Sequence, residues 1–454
     1  MREVKAAPQP GGISNGVKDN GGQGLRSSKG RTGSRRQEAG EQEKRPLDFS
    51  SSSSPSPSPS PSPSSSSSSS WMSRSVEESL LWAAHRGNLE VVQSLCSDPA
   101  VNVNWQYEGG YTPFFLACQE NRTEVVQYLL SLSRVDPVLP MSRGATPFAV
   151  ACQKGHPEVV SLLLASSRID PCRPMSGGAS PFFVACHADR KEVVSLLLAD
   201  PRIDPNKASN DRKTPFYIAC EFGHKKVVSR LLASPRVDPE MEMYGMAPFM
   251  VACTNGREEV VAVLLADPRI EADKTDIDLC TPLFRASQSG QLGVVERLLA
   301  SGRKIRDTWE CGFHGVTAAE QGRRQTSIPK STRETEENYQ RRITNGPLCG
   351  DLIEEYGRAP VAVRHRLRRQ PGLRDYFAGQ LFALLVFHSD NFVTMPEQTT
   401  THTHTKRFFE ICTRLPLEVQ MILCNRMFGS PRDIILTKDS EPGFQVLARS
   451  TTWQ

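Results

Sequence analysis

The chain has 454 residues, a formal net charge of +5 at pH 7 and 12 cysteines. Acidic and basic residues are interspersed along it, which excludes the dense basic surface of a general nucleic-acid-binding protein. The longest apolar stretch, residues 376–387, is far shorter than the ~20 residues of a membrane-spanning helix. The N-terminal Met-Arg-Glu-Val-Lys lacks the apolar segment of a signal peptide, so we expect an intracellular protein, cytoplasmic or nuclear.

Residues 1–74 come first in the chain, and almost all of them are small or polar. Prolines alternate with serines from Pro55 to Pro63. Such a segment cannot bury enough apolar surface to offset the entropy lost on ordering. We therefore predict a disordered, Ser/Pro-rich tail.

Residues 75–306 are dominated by a short phrase, Thr-Pro-Phe-Phe-Leu-Ala-Cys in its first copy, that recurs about every 34 residues. The copies begin at Thr112, Thr146, Ser180, Thr214, Ala247 and Thr281. Five steps separate them, and each is 34 residues long except the 33-residue step from Thr214 to Ala247. A fixed period of this size indicates a solenoid in which each repeat stacks on the next.

The repeat that begins at Thr146 shows how one unit folds. Thr146 is a good helix N-cap, Pro147 suits the first helical position, and Gly155 closes the helix. A second helix with an apolar face follows from Pro157, and a Gly-containing turn at residues 175–178 leads into the next unit. This helix–turn–helix–hairpin cannot bury its apolar face alone, so neighbouring units must cover it.

The second helix opens with residues 155–164, Gly-His-Pro-Glu-Val-Val-Ser-Leu-Leu-Leu. Together with the Thr-Pro phrase, this segment resembles the ankyrin repeat, whose signature is T-P-L-H-x-A followed by G-H-x-x-V-V-x-L-L-L. The resemblance implies an all-α solenoid of paired antiparallel helices joined by short β-hairpin loops. It covers about seven repeats over residues 75–306, with a degenerate eighth unit to residue 325 left open.

Two departures from the ankyrin pattern concern the hairpins. The lead-out Arg-Ile/Val-Asp-Pro replaces the usual Gly-Ala-Asp-Val-Asn and is one residue longer. The histidine that normally follows T-P-L is replaced by an apolar or aromatic residue, so apolar packing is expected where the family has a polar network. These residues are Phe115, Ala149, Phe183, Tyr217, Met250 and Phe284.

The resemblance also implies binding of partner proteins, through the hairpin tips and the concave face of the first helices. Carried over position by position, the candidate contact residues are Tyr107, Glu108, Tyr111, Met141, Arg143, Met175, Asn210, Asp211, Met243, Tyr244, Met246, Asp276 and Asp278. Apolar residues on projecting turns indicate a contact surface. The alternative is that the methionines pack on the adjacent hairpin.

An arginine recurs once per repeat, and an acid lies two residues after each one. The arginines are Arg134, Arg168, Arg202, Arg236 and Arg269. A basic ribbon for an acidic ligand is one interpretation. Alternating charges on a solvated edge usually cancel, and we favour that structural interpretation.

Five cysteines occupy one equivalent position in successive repeats: Cys118, Cys152, Cys186, Cys220 and Cys253. Equivalent helices in a stack lie about 8–10 Å apart, whereas a disulfide needs Cα atoms within about 7 Å. We therefore predict free, buried thiols and no zinc site, since no CxxC pair occurs. No phosphate-binding glycine loop or acid–base pair stands apart from the repeats, so we expect a non-enzymatic protein without cofactor or metal.

The remaining residues are predicted to form a polar linker, 307–345, and a small helical region, 346–454. His402 and His404 lie close together, but the sequence supplies no further metal ligand near them. The segment containing Leu415, Pro416, Glu418 and Ile422 resembles the L-P-x-E opening of F-box-like motifs, which would imply recruitment of ubiquitin-ligase components. Proline followed by an acid is also simply a good helix start.

The sequence is therefore compatible with two functions. The first is a protein–protein interaction scaffold. The second is a substrate adaptor of a cullin–RING ubiquitin ligase, with the repeats holding substrate and the C-terminal segment holding the ligase.

Overall fold

The computed structural model describes residues 75–142, 144–305, 316–389, 412, 415–428, 430, 432, 435 and 439–440. The expected tail, residues 1–74, lies outside this range, as do Arg143, His402 and His404. The helices of the repeats are α1 Val76–Arg86, α2 Leu89–Ser97, α3 Pro113–Gln119, α4 Thr123–Ser131, α5 Pro147–Lys154, α6 Pro157–Ala165, α7 Pro181–His187, α8 Lys191–Ala199, α9 Pro215–Phe222, α10 Lys225–Ala233, α11 Pro248–Thr254, α12 Glu258–Ala266, α13 Pro282–Gln288 and α14 Leu292–Ser301. They are followed by α15 Ala318–Arg324, α16 Glu336–Arg358, α17 Pro360–Arg368, α18 Arg374–Ser389 and α19 Leu417–Met427.

The odd-numbered helices from α1 to α15 form one layer, in which each helix packs on the next. The even-numbered helices from α2 to α16 form a second, outer layer in the same way. Between the layers lies a continuous apolar core. A phenylalanine from each inner helix from α3 to α11, and a leucine from each outer helix from α4 to α10, is almost completely buried. These include Phe114, Phe148, Phe182, Phe216, Phe249, Leu129, Leu163, Leu197 and Leu231. The predicted all-α solenoid is confirmed.

Inner helices begin where the sequence predicts, because the capping residue satisfies a free backbone N–H group. Thr146 Oγ1, for example, accepts a hydrogen bond of 3.2 Å from the N–H of Ala149. The same bond is made by Thr112, Ser180, Thr214 and Thr281. Ala247 occupies this position in the repeat of α11 and makes no such bond.

A second set of contacts ties each repeat to the one before it at the turn between its two helices. Arg190 Nε donates to the carbonyl of Gln153 at 2.9 Å, and its side chain passes over Gly155, where a Cβ would lie 2.5 Å from Arg190 Cδ. At two of these turns the donor is a shorter histidine and the left-handed turn residue is not glycine, and at one further turn the donor is Gln291 beside Gly256. The arginine–glycine pairs are Arg122 with Gly87, Arg190 with Gly155 and Arg257 with Gly223, and the histidine pairs are His156 with Asn121 and His224 with Asp189.

The described part of the segment expected to be a linker, residues 316–345, contains α15 and the start of α16. Thr317 and Glu320 form a capping box that starts α15, α15 packs on α13, and α16 packs on α14. The expected boundary at residue 345 therefore falls inside α16, and α15 with α16 forms an eighth helix pair. The two helices approach closely because Gly322, Gly346 and Gly350 have no side chains at the crossing.

Beyond α16, the chain returns along the outer layer. Arg368 Nε on α17 donates to the carbonyl of Ala300 at 2.8 Å, and the Tyr376 hydroxyl on α18 donates to the carbonyl of Ala262 at 3.0 Å. Helices α18 and α19 share a small apolar cluster that includes Leu385 and Cys424. In the part of the chain that the structure describes, no helix combines the length and apolarity needed to cross a bilayer.

Candidate partner-binding surface

Each outer helix is joined to the next inner helix by a segment that ends in a tight hairpin. In the hairpin that begins at Met141, three residues separate Met141 from Ala145. The N–H of Met141 donates to the carbonyl of Ala145 at 3.0 Å, and the N–H of Gly144 donates to the carbonyl of Met141 at 2.8 Å. At Met243 the loop has only two residues, Tyr244 and Gly245, with φ of 50° and 72°. Positive φ at both central residues is the requirement of a type I′ turn, and the shorter loop accounts for the 33-residue step.

One hairpin position adopts the left-handed conformation in each of the six hairpins that precede α3, α5, α7, α9, α11 and α13. It is glycine at residues 110, 144, 178 and 245, which is the residue that tolerates positive φ best. Arg212 and Leu279 hold the same position at φ of 61° and 58°. A bulky side chain in this conformation is uncommon and indicates a local constraint.

In the first hairpins, the predicted contact residues are mostly half-buried. Tyr107 and Tyr111 face each other across a two-stranded bridge, and the Tyr111 ring packs edge-on against Phe115 at 5.5 Å. Glu108 is exposed, whereas Met141 and Met175 are half-buried. Each of these methionines therefore packs partly against the protein and is partly exposed to solvent.

The fourth and fifth predicted hairpins are more open. Asn210 and Asp211 are exposed, and Met243 and Met246 are half-buried. The Tyr217 hydroxyl lies 3.8 Å from the Met246 sulfur, which gives that methionine a structural contact. Beside them, the Tyr244 side chain is 60% exposed. The Arg212 guanidinium lies 5.7 Å from the centre of the Tyr244 ring.

The last hairpin corrects one predicted residue. Asp276 is buried, and its Oδ1 accepts hydrogen bonds from the N–H groups of Asp278 and Cys280 at 3.0 and 2.9 Å. Its Oδ2 accepts one from Arg285 Nε at 2.7 Å, and Arg285 also bonds Asp278 at 2.7 Å. Asp276 therefore stabilises the hairpin from inside, while Asp278 remains exposed.

The same hairpin presents two apolar residues that sequence inspection missed. Ile277 is 72% exposed and Leu279 is 62% exposed. The Ile277 side chain lies directly over Gly245, where an added Cβ would overlap Ile277 Cγ2, and so it is next to Tyr244 in the preceding hairpin. Residues 276–279 alternate between acids and aliphatic residues, and this alternation is the sequence signal that could have identified Ile277 and Leu279.

The guanidinium groups of the recurring arginines bond to the protein itself. Arg168 donates from one guanidinium nitrogen to the carbonyls of Leu130 and Leu132, at 3.0 and 3.1 Å, at the end of the preceding outer helix. Arg134, Arg202, Arg236 and Arg269 reach carbonyls of the preceding repeat in the same manner, and Arg303 extends the series. The arginines therefore have a structural role, as expected. Their guanidinium groups bond carbonyls near the end of the preceding outer helix and not the acid that lies two residues after each arginine. That acid makes a local turn instead: Asp170 Oδ1 accepts from the N–H of Cys172 at 2.9 Å.

The five equivalent cysteines are free and completely buried, as predicted. Burial raises the pKa of the Cys118, Cys186 and Cys220 thiols well above the ordinary value, because the thiolate would lose its hydration. These groups are therefore packing residues and not nucleophiles. Cys172 is only half-buried.

An open groove of about 900 Å³ lies between the turns of the last repeats and the start of α16. Its charged residues are paired with one another or with neighbours: Arg342 with Glu334, Arg341 with Glu337, and Glu258 with Arg297. The groove is therefore the boundary between α16 and the repeats, and its charged side chains already have partners within the protein.

The segment that resembles an F-box opening lies at the start of α19. Pro416 and Glu418 are exposed, while Leu415 and Ile422 are half-buried. Leu417 and Val419 are also exposed, and Cys424 packs against α18. The structure thus places a small apolar surface at the beginning of this helix.

The paired helices, capped inner layer and projecting hairpins define a stacked helical-repeat protein. A family model for ankyrin repeats, three copies long, matches residues 80–175, 136–209, 169–243 and 216–308. Because these matches span about half of the chain, the protein belongs to the ankyrin-repeat family. A search of curated proteins found no match for the chain. Ankyrin repeats are in general protein-interaction modules, which supports a role in protein–protein interaction.

Proposed function

We propose that this protein is a non-enzymatic scaffold that binds partner proteins through its hairpin tips and the concave face of its inner helices. One observation carries the proposal: bulky apolar side chains stand on projecting hairpins, where they do not contribute to the core. Tyr244, Ile277 and Leu279 are the most exposed of these. Aromatic and aliphatic anchors of this kind contribute most of the energy in many protein interfaces.

The inner helices add a second, smaller feature. Phe222 at the end of α9 is exposed, with the ring of His187 edge-on at 4.7 Å and the ring of His224 stacked at 6.0 Å. An exposed aromatic residue held between two others is rigid, so it loses little entropy on binding.

Proximity labelling in cells tests the scaffold proposal. Tyr244→Ser combined with Met175→Ser should remove a specific set of labelled proteins, since both residues contribute exposed area at hairpin tips. Val361→Ser is the matched control, because Val361 is 63% exposed on α17, away from the hairpins. An identical set of labelled proteins for all three chains would contradict the proposal.

The cullin–RING adaptor remains a second candidate function, supported by the exposed Pro416, Leu417, Glu418 and Val419 at the start of α19. Deleting residues 346–454 would be a poor test, because the cut falls inside α16, which packs on the last repeats. The double substitution Leu417→Ser, Val419→Ser removes the exposed apolar surface instead. If the adaptor proposal is right, this variant loses cullin–RING components in co-precipitation, whereas the scaffold proposal alone predicts no such component with either chain.

A further inference from the structure

We infer that two adjacent hairpins, residues 237–246 and 270–280, form a preorganised docking site for a basic protein segment with bulky apolar side chains. The inference rests on the proposed interaction function and deepens it, since it assigns the contact to two repeats and states the chemistry of the partner. Three independent features of these hairpins support it.

The first feature is a contiguous apolar surface. Tyr244, Ile277 and Leu279 are all more than half exposed, and Met241 is exposed beside them. Ile277 covers Gly245, so the two hairpin tips present one surface rather than two separate side chains. By contrast, the apolar residues at the earlier tips, Met141 and Met175 among them, are half-buried. Exposed apolar clusters of this kind mark interaction sites.

The second feature is that one anchor is held in an unfavourable backbone conformation. Leu279 has φ of 58° at a position that is glycine in most of the other hairpins. Glycine there would relieve the backbone, so the leucine side chain is kept at a conformational cost. Backbone strain of this type clusters at binding and active sites, and Tyr244, the neighbouring anchor, also has a positive φ of 50°.

The hairpin that carries Leu279 is also fixed from within. Asp276 bonds two backbone N–H groups of its own turn and the guanidinium of Arg285. Arg285 stands where α3, α5, α7, α9 and α11 have an aliphatic residue: Leu116, Val150, Val184, Ile218 and Val251. A buried acid and a matching arginine therefore hold Ile277 and Leu279 in place before a partner arrives, which reduces the entropy lost on binding.

The third feature is charge. Residues 237–246 contain three acids and no base, and residues 270–280 contain four acids and one lysine. That lysine, Lys274, is already paired with Glu240 and Glu242 at 3.3 and 2.8 Å. The hairpins at 135–145 and 169–179 each carry one acid and one base, and residues 203–213 carry two acids and three bases. Arg285 also bonds Asp276 and Asp278, and Arg212 lies over the Tyr244 ring. With these two arginines included, seven acids face three bases, and this acidic excess around the apolar surface favours a basic partner segment.

The test uses the full chain and a phage-displayed library of random dodecapeptides. Enriched peptides should combine a bulky aliphatic or aromatic residue with lysine or arginine, and their binding should weaken as salt is raised. A labelled synthetic copy of the strongest peptide then gives affinities by fluorescence anisotropy. Leu279→Gly and Ile277→Ser should each weaken binding by about tenfold or more, as expected for interface anchors.

Two controls separate lost binding from lost structure. Leu279→Gly relieves the left-handed strain, so its thermal midpoint should equal or exceed that of the parent chain while binding falls. Val361→Ser should leave the affinity within about twofold, since Val361 is exposed on α17, outside the two hairpins, and distant sites contribute independently.

The outcomes distinguish this inference from the broader proposal. Enrichment of acidic or purely polar peptides, or binding that survives Leu279→Gly but is lost with Met141→Ser, overturns the inferred site and leaves the scaffold proposal standing. Failure to enrich any peptide also overturns it, if proximity labelling still reports partners that depend on hairpin residues. Absence of such partners overturns the scaffold proposal itself.

Discussion

Replacing Arg168 by glutamine tests how neighbouring repeats are joined along the outer layer. The guanidinium donates to the carbonyls of Leu130 and Leu132 at 3.0 and 3.1 Å, and further bonds reach Ser133 and Val135. A hydrogen bond from a charged group contributes about 1.5–3 kcal/mol when buried, and exposure of Arg168 reduces this to about 1 kcal/mol per bond. With two well-formed bonds lost, Arg168→Gln should lower the free energy of unfolding by about 2 kcal/mol.

Urea denaturation followed by circular dichroism measures this loss, because coupling between neighbouring repeats transmits a local defect to the whole array. Asp170→Asn is the matched variant. It removes the nearby charge but keeps an oxygen that accepts the N–H of Cys172. If Arg168 acts through its bonds to carbonyls, only Arg168→Gln should lower the free energy of unfolding. That decrease should persist at about 1 M salt, where charge interactions are screened within about 3 Å. An equal loss for Asp170→Asn, or disappearance of both losses in high salt, would refute the carbonyl interpretation.

Four further predictions concern helix capping, packing and the buried thiols. Ala247→Thr supplies the missing N-cap of α11 and should raise the free energy of unfolding by about 1 kcal/mol, measured by urea denaturation; an unchanged or lower value contradicts it. Gly155→Asn should lower the thermal midpoint because its Cβ meets Arg190, and adding Arg190→His should restore it, as in the repeats that pair histidine with a non-glycine turn; no rescue would count against this pairing. Peptide mapping after brief maleimide treatment should find Cys172 labelled well before Cys186, whose raised thiol pKa reflects burial; the opposite order would be inconsistent with the packing. Because the folded state favours the protonated Cys186 thiol, stability should fall as the pH rises above the ordinary thiol pKa.

The repeat architecture was predictable because each unit encodes its own boundaries. Thr146 and Pro147 start a helix and Gly155 ends it, and the same local signals recur at a fixed period. The eighth helix pair was difficult to predict for two reasons. The stretch before α16 is polar, and α15 and α16 pack through close contact at glycines instead of through a stripe of leucines. Thr335, which caps α16, and Gly346 were the available signals.

The binding surface was only partly predictable from the sequence. Hairpin tips can be located from the repeat period, and Tyr244 was correctly placed on an exposed turn. Within a tip, however, a shift of one residue exchanges buried and exposed positions. Asp276 was therefore assigned to the surface although it is buried, and its neighbours Ile277 and Leu279 were overlooked. Aligning Leu279 with the glycines of the other hairpins is the comparison that reveals its unusual backbone conformation.

Hydrogen exchange measured by mass spectrometry on the full chain, with and without the strongest selected peptide, tests most directly whether the hairpins are the binding surface. Our account predicts slower exchange in peptides that cover residues 237–246 and 270–280, and unchanged exchange in α17 and α19. Protection confined to the outer helices or to α19, with both hairpins unaffected, would contradict it.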